Sequence, residues 1–344
     1  MKAAVIHQNG GADQLVLHEV PQPEPRPGEV LIKIRAAALN HLDIWLRMGR
    51  PGSNMTFPHI LGADAAGEVA AVGAGVTGVQ VGQEVIINPG LGCTHCAWCA
   101  RGEQSECPDF TIVGMKNPGT YAEYVTVPAE NVQPKPEHLS WEEAAALPLA
   151  YLTAWRMLFT RARLFPGETV LIHGIGGGVA LAALQLAHLA GARAIVTSSS
   201  EDKLERAKGL GAAHAFSSKD GQALVKAVLD VTSGYGADVA IDSVGAATFP
   251  VNLDAIRKGG RIVHCGVTSG PKAEANLSTL YWKQLSVLGS TMGSQEDFRQ
   301  LLNAVDAAQL KPVMDQVFPL ADAGKAQARM EAGKQFGKIA LAVG

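Results

Sequence analysis

Residues 168–192 constrain the fold more than any other segment of the sequence. They read ETVLIHGIGGGVALAALQLAHLAGA, so that a short apolar run, a glycine-dense turn and an apolar helical run follow one another. Gly174, Gly177 and Ala180 have the spacing G-x-x-G-x-x-A, which lets the backbone turn sharply and approach a pyrophosphate at the N-terminus of a helix. An ordinary glycine-rich turn is the alternative, but the strand before the glycines and the helix after them favour a dinucleotide site.

The remaining sequence extends this unit into a fold class. From about residue 140, helical apolar segments alternate with short strand-like runs such as ARAIVTS, ADVAIDSVG, GGRIVHCGV and QLSVLGS. This alternation predicts an α/β domain with a doubly wound parallel sheet and right-handed crossovers. Residues 1 to about 130 contain short β-type runs between turn residues, which predicts a second, β-rich domain. A length of 344 residues agrees with two domains.

The end of the next predicted strand bears on the choice of nicotinamide cofactor. An acidic residue about 20 positions beyond the glycine turn would bind the ribose 2′-hydroxyl of NAD. Hydroxyl side chains stand there instead, at Ser198 and Ser199, and Lys203 follows. Small hydroxyls and a cation suit a 2′-phosphate, so the sequence favours NADP(H). Glu201 or Asp202 remains an alternative ribose ligand, although a serine cap would place both in the first turn of a helix.

Two further strand ends belong to the expected cofactor cleft, because ligands of doubly wound sheets bind outside the carboxyl ends of the strands. Cys265 lies at one of these ends, and we expect a small buried side chain there rather than a nucleophile. The cofactor-binding candidates in the glycine turn and at the two strand ends are Gly174, Gly177, Gly178, Val179, Ser243, Val244, Cys265, Gly266 and Val267.

The cysteines are concentrated in one segment. GCTHCAWCARGEQSEC contains four of the five, with the spacing C-x2-C-x2-C-x7-C. Gaps of two residues let neighbouring thiolates turn toward one tetrahedral zinc ion, and a reducing cytosol would favour metal over disulfides. We expect Cys93, Cys96, Cys99 and Cys107 to hold one zinc per chain, with His95 as a bystander. Four thiolates close the site, whereas a catalytic zinc keeps one position open for water or substrate.

Composition and charge limit the class of partner. The net charge of −3 gives no basic field for nucleic acid or membrane, so a small-molecule substrate is expected. The N-terminal residues lack the cationic and apolar pattern of a secretory signal, and polar residues interrupt the apolar runs before they reach about 18 residues. These features predict a cytoplasmic protein.

The chain resembles the medium-chain dehydrogenase/reductase superfamily along essentially its whole length, in the segments ALNHLDIWLRMG, LGADAAGEVAAVG, GTYAEYVTVP, LPLAYLTAWRML, HGIGGGVALAALQLA, DSVG and GKIALAVG. Within the superfamily it most resembles the quinone oxidoreductase branch. The resemblance implies a GroES-like catalytic domain from residues 1–130 and 308–344 and a Rossmann domain from residues 131–307. It also implies a structural zinc lobe remote from the chemistry and a homodimer or homotetramer.

The chain departs from the zinc alcohol dehydrogenases of this superfamily at their catalytic ligands. Their three ligand positions correspond here to Asn40, to Ala63 beside Asp64, and to the neighbourhood of Leu149. Asp64 alone cannot supply the three protein groups that a catalytic zinc requires, so the catalytic zinc is predicted to be absent. Without that Lewis acid, hydride addition to a quinone or an activated alkene, such as an enone or enoyl thioester, is favoured over carbonyl reduction.

Asn40 is the first catalytic candidate, as an amide donor to the developing enolate oxygen. Asp64 ranks second, because it would need a raised pKa to donate a proton at neutral pH. The proton for the other carbon comes from water or from an unidentified side chain. Two rival functions remain: alcohol dehydrogenation, and NADPH binding with little turnover.

The resemblance also implies cofactor contacts outside the motifs above. Thr153 would reach the nicotinamide or its ribose, or else be an ordinary threonine inside a helix. Gly289 and Ser290 would form the wall near the nicotinamide. Lys338 would reach a cofactor phosphate or be a solvated lysine. Asp43 is expected to be a hydrogen-bond acceptor in the cleft wall.

Overall fold

The computed structural model describes residues 1–49 and 55–344, which form two compact units. The first unit comprises Met1–Leu152 and Met292–Gly344, and the second comprises Thr153–Thr291. The strands are β1 (Lys2–Ile6), β2 (Val16–Glu19), β3 (Glu29–Ala38), β4 (His59–Ile60), β5 (Asp64–Val72), β6 (Glu84–Ile87), β7 (Gly90–Leu91), β8 (Thr111–Ile112), β9 (Tyr124–Pro128), β10 (Val132–Pro134), β11 (Thr169–Ile172), β12 (Arg193–Ser198), β13 (His214–Ser217), β14 (Ala237–Asp242), β15 (Ile256–His264), β16 (Ser286–Gly289), β17 (Met314–Pro319) and β18 (Lys338–Ala342). The α-helices are α1 (His41–Arg47), α2 (Ala97–Ala100), α3 (Trp141–Ala146), α4 (Pro148–Trp155), α5 (Gly178–Leu189), α6 (Glu201–Lys208), α7 (Gly221–Val231), α8 (Phe249–Ala255), α9 (Leu277–Trp282), α10 (Gln295–Ala308) and α11 (Ala323–Glu331).

The first unit is built on a largely antiparallel sheet with strand order β10-β6-β5-β3-β18-β17, to which β9 adds by pairing with β3. A smaller sheet has the order β2-β1-β4, and β7 pairs with β8. The strand β18 pairs with β3, with Ala340 opposite Ala38. Residues 338–342 therefore belong to the same sheet as β3.

The second unit contains a six-stranded parallel sheet with the order β13-β12-β11-β14-β15-β16. Its central strand β11 is buried along its whole length, as expected for a parallel strand covered on both faces. Leu171, Ile195, Ala240 and Ile262 on four neighbouring strands form a core with Val228 of α7. The α/β class with a β-rich unit and a doubly wound parallel sheet is confirmed.

The compact units divide the chain at other places than the boundaries expected at residues 130 and 308. Helix α3 packs on β3 and β5, so the chain stays with the first unit until Leu152. Helix α10 also belongs to that unit, where Gln295 accepts a hydrogen bond of 2.9 Å from the Asn88 side chain. Within the described residues, no helix is both long enough and apolar enough to span a membrane.

Candidate active site

Three segments of the first unit bring Asn40, Asp64 and Lys338 together. Asn40 lies between β3 and α1, directly before α1, while Asp64 and Lys338 begin β5 and β18. Both of these strands flank β3, and Ala38 lies opposite Asp64 on one side and Ala340 on the other. The sheet register therefore places an amide, a carboxylate and an ammonium group in one buried cluster.

The cluster is closely hydrogen-bonded. Asn40 Nδ2 donates to Asp64 Oδ2 at 2.8 Å, and Lys338 Nζ donates to Asn40 Oδ1 at 2.8 Å and to Asp64 Oδ2 at 3.0 Å. Leu149 donates its backbone N–H to Asp64 Oδ1 at 2.8 Å. Asp64 thus accepts at both oxygens from groups that only donate, so it is present as the carboxylate. This does not fit a role for Asp64 as a proton donor.

Lys338 differs from both roles that the sequence suggested. Its side chain is 3% exposed, so it is not solvated. Its ammonium also donates to the Leu39 carbonyl at 2.8 Å, which gives it three acceptors for its three protons. No proton is left for a cofactor phosphate, and the reason is the pairing of β18 with β3, which brings Lys338 beside Asp64.

Asp43 and Tyr121 extend the cluster on the side of α1. Asp43 Oδ2 accepts from the Asn40 backbone N–H at 2.7 Å and from the Tyr121 hydroxyl at 2.8 Å, which confirms its expected acceptor role. Burial raises the pKa of Asp43 to about 7, against the opposing effect of these two hydrogen bonds. Burial likewise raises the pKa of Tyr121 well above its ordinary value. Sequence inspection missed Tyr121, although it lies in the GTYAEYVTVP segment.

The cysteine lobe is a second polar site of the first unit. The Sγ atoms of Cys93, Cys96, Cys99 and Cys107 all lie within 4.8 Å of one another, and no other group of three or more His, Cys, Asp or Glu residues in the described parts of the chain is placed to hold a metal ion. Backbone N–H groups point at three of the sulfurs, for example from Cys96 to Cys93 Sγ at 3.3 Å. Four sulfurs at this spacing fit a tetrahedral structural zinc.

The glycine turn of the second unit lies between β11 and α5. Gly174 has φ +73° and Gly176 has φ +109°, a region that glycine adopts without strain. Gly177 caps α5, and the first-turn N–H groups of Gly178 and Val179 have no acceptors within the helix. A Cβ at Gly174 would lie 3.2 Å from Val244 Cγ2, so the turn packs closely against the segment after β14.

The residues proposed for the ribose end lie near this turn. Ser198 ends β12, Ser199 is exposed, and Ser200 caps α6, so Glu201 and Asp202 stand in the first helical turn as expected. The Lys203 side chain extends back over the glycine turn. A Cβ at Gly176 would lie 2.7 Å from Lys203 Cδ and 3.3 Å from its Nζ.

The other cofactor candidates end or follow β14, β15 and β16 at the same edge of the sheet. A Cβ at Gly266 would lie 2.7 Å from the Ser243 carbonyl, so these two segments touch. Burial raises the pKa of the Cys265 thiol to about 12, which keeps it protonated and agrees with a non-nucleophilic role. The candidates placed at this edge are Ser243, Val244, Cys265, Gly266, Val267, Gly289 and Ser290.

Two observations concern Ser290 and Thr153. Ser290 is 9% exposed, and its hydroxyl has no hydrogen-bond partner among the described residues, which leaves a buried polar atom for a ligand to satisfy. Thr153 is buried in α4, and its contact with a nicotinamide stays a prediction.

Asp242 is a residue that sequence inspection missed. Its Oδ1 accepts from the backbone N–H groups of Val244 at 2.7 Å and Gly245 at 3.1 Å.

Comparison with known proteins gives consistent matches over the chain. The family described as "Alcohol dehydrogenase GroES-like domain" matches residues 26–137, and that described as "Zinc-binding dehydrogenase" matches residues 178–307. A zinc-type alcohol dehydrogenase-like protein of Schizosaccharomyces pombe is 33% identical and covers 98% of both chains. A crotonyl-CoA carboxylase/reductase of Cereibacter sphaeroides is 32% identical over 94% of this chain and 82% of its own. A crystal structure of an NAD-dependent alcohol dehydrogenase has a TM-score of 0.96 and 45% identity, with full coverage of both chains.

Proposed function

The chain belongs to the medium-chain dehydrogenase/reductase superfamily, and we propose that it is an NADPH-dependent oxidoreductase that reduces quinones or activated alkenes without a catalytic zinc. The activated alkenes are enones and enoyl thioesters. The observation that carries the proposal is the Asn40 amide, which is held between the Lys338 ammonium and the Asp64 carboxylate.

The partners of Asn40 fix the direction of its amide. An ammonium group only donates, so the atom facing Lys338 is Oδ1, and a carboxylate only accepts, so the atom facing Asp64 is Nδ2. One Nδ2 proton is bound to Asp64, and the second remains to be donated to a substrate oxygen. Lys338 polarises the amide through Oδ1 and so strengthens Nδ2 as a donor. Such a donor stabilises the anionic enolate oxygen more than the neutral carbonyl, which accelerates the reaction.

The same cluster supports chemistry without zinc at this position. An amide, an alanine methyl and one carboxylate do not make the three-ligand set of a catalytic zinc site. The Lys338 ammonium, 3.0 Å from Asp64 Oδ2, would also repel a divalent cation at this place. In the proposal, the zinc belongs to the four thiolates of the lobe, and a water molecule supplies the proton for the second carbon.

The sheet edge of the second unit suits NADPH. A glycine turn without Cβ atoms, a helix N-terminus and the buried Ser290 hydroxyl offer contacts to a dinucleotide. NADPH bound there supplies the hydride. Ser198, Ser199 and Lys203 would hold the 2′-phosphate, and the position of Lys203 over the glycine turn supports this arrangement. The proposed preference for NADPH over NADH would decrease when Lys203 is replaced by alanine.

The names of the relatives favour two substrate classes. The crotonyl-CoA carboxylase/reductase supports an enoyl thioester substrate. The alcohol dehydrogenase names make alcohol oxidation the second candidate. An alcohol must lose its hydroxyl proton as it is oxidised, and Asp64 is a poor base for that proton, because three donors already occupy its oxygens.

A homodimer or homotetramer is part of the proposal. The strand β16 lies at the edge of the parallel sheet. The preceding helix α9 exposes Leu277, Tyr281 and Trp282, which are 68%, 66% and 73% accessible. A strand edge next to exposed apolar side chains is a surface that a second chain would cover. Light scattering of the purified protein measures the number of chains.

The test of the proposed function is NADPH and NADH oxidation against a panel of quinones, enones and enoyl-CoA thioesters, with primary alcohols and NADP⁺ as the reverse control. We expect turnover of at least one alkene or quinone class and a preference for NADPH. Turnover of alcohols alone would support alcohol oxidation, the second candidate. No turnover with any combination of cofactor and substrate would refute both candidate functions.

A further inference from the structure

A chain of buried side chains crosses the second unit beneath the proposed cofactor edge. His173 Nδ1 lies 3.0 Å from the Thr197 hydroxyl, and His173 Nε2 lies 2.8 Å from Asn252 Oδ1. Asn252 Nδ2 in turn lies 2.7 Å from Asp242 Oδ2. Thr197, Asn252 and Asp242 are fully buried, and His173 is 1% exposed. These four side chains, which we call the polar chain, have no part in the proposed reaction.

The position of each proton in the polar chain follows from its end at Asp242. This carboxylate takes four hydrogen bonds, from Val244, Gly245, Thr248 and Asn252. The Asn252 atom facing it is therefore the amide nitrogen, which leaves Oδ1 as an acceptor for His173 Nε2. His173 must then carry its proton on Nε2 and accept the Thr197 hydroxyl proton on Nδ1. Burial lowers the pKa of His173, which agrees with the neutral ring that this order requires.

The polar chain joins three adjacent strand ends. Thr197 lies in β12 next to Ser198, His173 follows β11 and precedes Gly174, and Asp242 ends β14 before the Val244 segment. A backbone hydrogen bond also joins the glycine turn to β12, since the Ile175 N–H donates to the Thr197 carbonyl at 2.9 Å. Thr197, His173 and Asp242 are thus direct neighbours in sequence of segments assigned to the cofactor, and Asn252 of α8 links His173 to Asp242.

We propose that the polar chain positions the glycine turn, the Ser198 segment and the Val244 segment as one cofactor-binding edge, with His173 in its Nε2–H form as the connecting group. The residues act as positioning residues, because they are buried under the segments that would touch the cofactor. This inference rests on the proposed cofactor site, but the form of His173 is independent of it.

Replacement of Thr197 is the sharpest perturbation, because valine has nearly the same shape and lacks only the hydroxyl. Thr197→Val leaves His173 Nδ1 buried without a donor, so the ring is free to turn or to exchange its proton. We expect the Kd for NADPH to rise about tenfold, which equals the loss of roughly one hydrogen bond. Thr197→Ser keeps the hydroxyl and should restore binding. Thr169→Val, at the opposite end of β11, is the matched control and should bind as the wild type does.

The measurements are fluorescence titration with NADPH and with NADH, melting curves of all four proteins, and ¹⁵N NMR of the histidine side chains. A wild-type His173 with its proton on Nδ1, or a Thr197→Val protein with unchanged Kd, would overturn the inference. Loss of melting temperature in Thr197→Val with unchanged Kd would show a purely structural role and would also overturn it. A wild type that binds neither nucleotide would refute the proposed function and the positioning role together.

Discussion

The cysteine lobe and the cluster of Asn40, Asp64 and Lys338 lie in the same unit but differ in the positive charge that suits each of them. The lobe gathers four thiolates within 4.8 Å of one another, which suits a zinc ion and leaves no open position. The Asn40 cluster satisfies its carboxylate with the chain's own ammonium group, 3.0 Å away. In the proposed function, this chain separates stability from chemistry, with the metal in the lobe and an organic cation beside the proposed catalytic amide.

The largest expected effect comes from Asn40→Ala. The change removes the proposed donor to the enolate oxygen, so kcat for alkene or quinone reduction should fall by about 10²- to 10³-fold. Melting should fall less than in Lys338→Met, because Lys338 and Asp64 remain paired with each other and only one proton of the Lys338 ammonium loses its acceptor. Single-turnover rates and melting curves measure the two effects. Asn88→Ala is the control, since it removes another buried asparagine of the first unit and should affect melting more than rate.

Lys338→Met removes the cation of the cluster. The Asp64 carboxylate would then be buried without its counter-charge, and loss of one partner of a buried ion pair costs about 3–5 kcal/mol. The free energy of unfolding in urea should fall accordingly. Lys311→Met is the matched control, because Lys311 forms an exposed ion pair with Glu143 and its loss should have little effect. Equal losses of unfolding free energy in Lys338→Met and Lys311→Met would show that the burial of Lys338 does not increase its contribution to stability.

Cys99→Ser tests the other side of the comparison. Loss of one thiolate should weaken zinc binding and lower the melting temperature by roughly 5–10 °C, because metal binding contributes folding free energy. The protein that stays folded should still turn over substrate at nearly the wild-type kcat. A well-folded Cys99→Ser protein without activity would place the zinc in the chemistry.

Asp43→Asn tests the raised pKa of Asp43 through the pH dependence of stability. The folded pKa of Asp43 is about 7 against an ordinary 3.8, so the folded protein holds a proton that the unfolded chain releases between these values. The stability of the wild type should therefore decrease as pH rises from about 4 to 7, and this decrease should be smaller in Asp43→Asn. Urea unfolding at pH 5 and pH 8 measures the difference, with the exposed Asp254→Asn as control. Parallel pH profiles of the wild type and Asp43→Asn would contradict the raised pKa.

Local motifs predicted much of the fold and part of the site. The spacing of Gly174 and Gly177, the serine cap at Ser200 and the cysteine spacing each depend on a few consecutive residues, so the sequence shows them directly. The resemblance placed residues 308–344 in the GroES-like domain, but the pairing of β18 with β3 and its consequence for Lys338 were not predicted.

The parts that sequence inspection missed depend on contacts between distant segments. Lys338 reaches Asn40 across 298 positions, and the Tyr121 hydroxyl reaches Asp43 across 78. A lysine at the start of an apolar strand gives no local sign that it will be buried. Contacts between distant segments also define the compact units, since α3 joins the first unit by packing on strands that include β3 and β5.

The zinc content of the active enzyme tests most directly whether the Asn40 cluster works without a metal. It is measured by elemental analysis on the sample whose turnover of an enone or quinone is recorded. A chain that uses zinc only in the lobe should contain one tightly bound zinc, and Cys99→Ser should lose it, while Cys265→Ala should keep it. Two tightly bound zinc ions per chain, or a turnover that falls in proportion to the zinc removed from folded protein, would contradict the claim that the Asn40 cluster works without a metal.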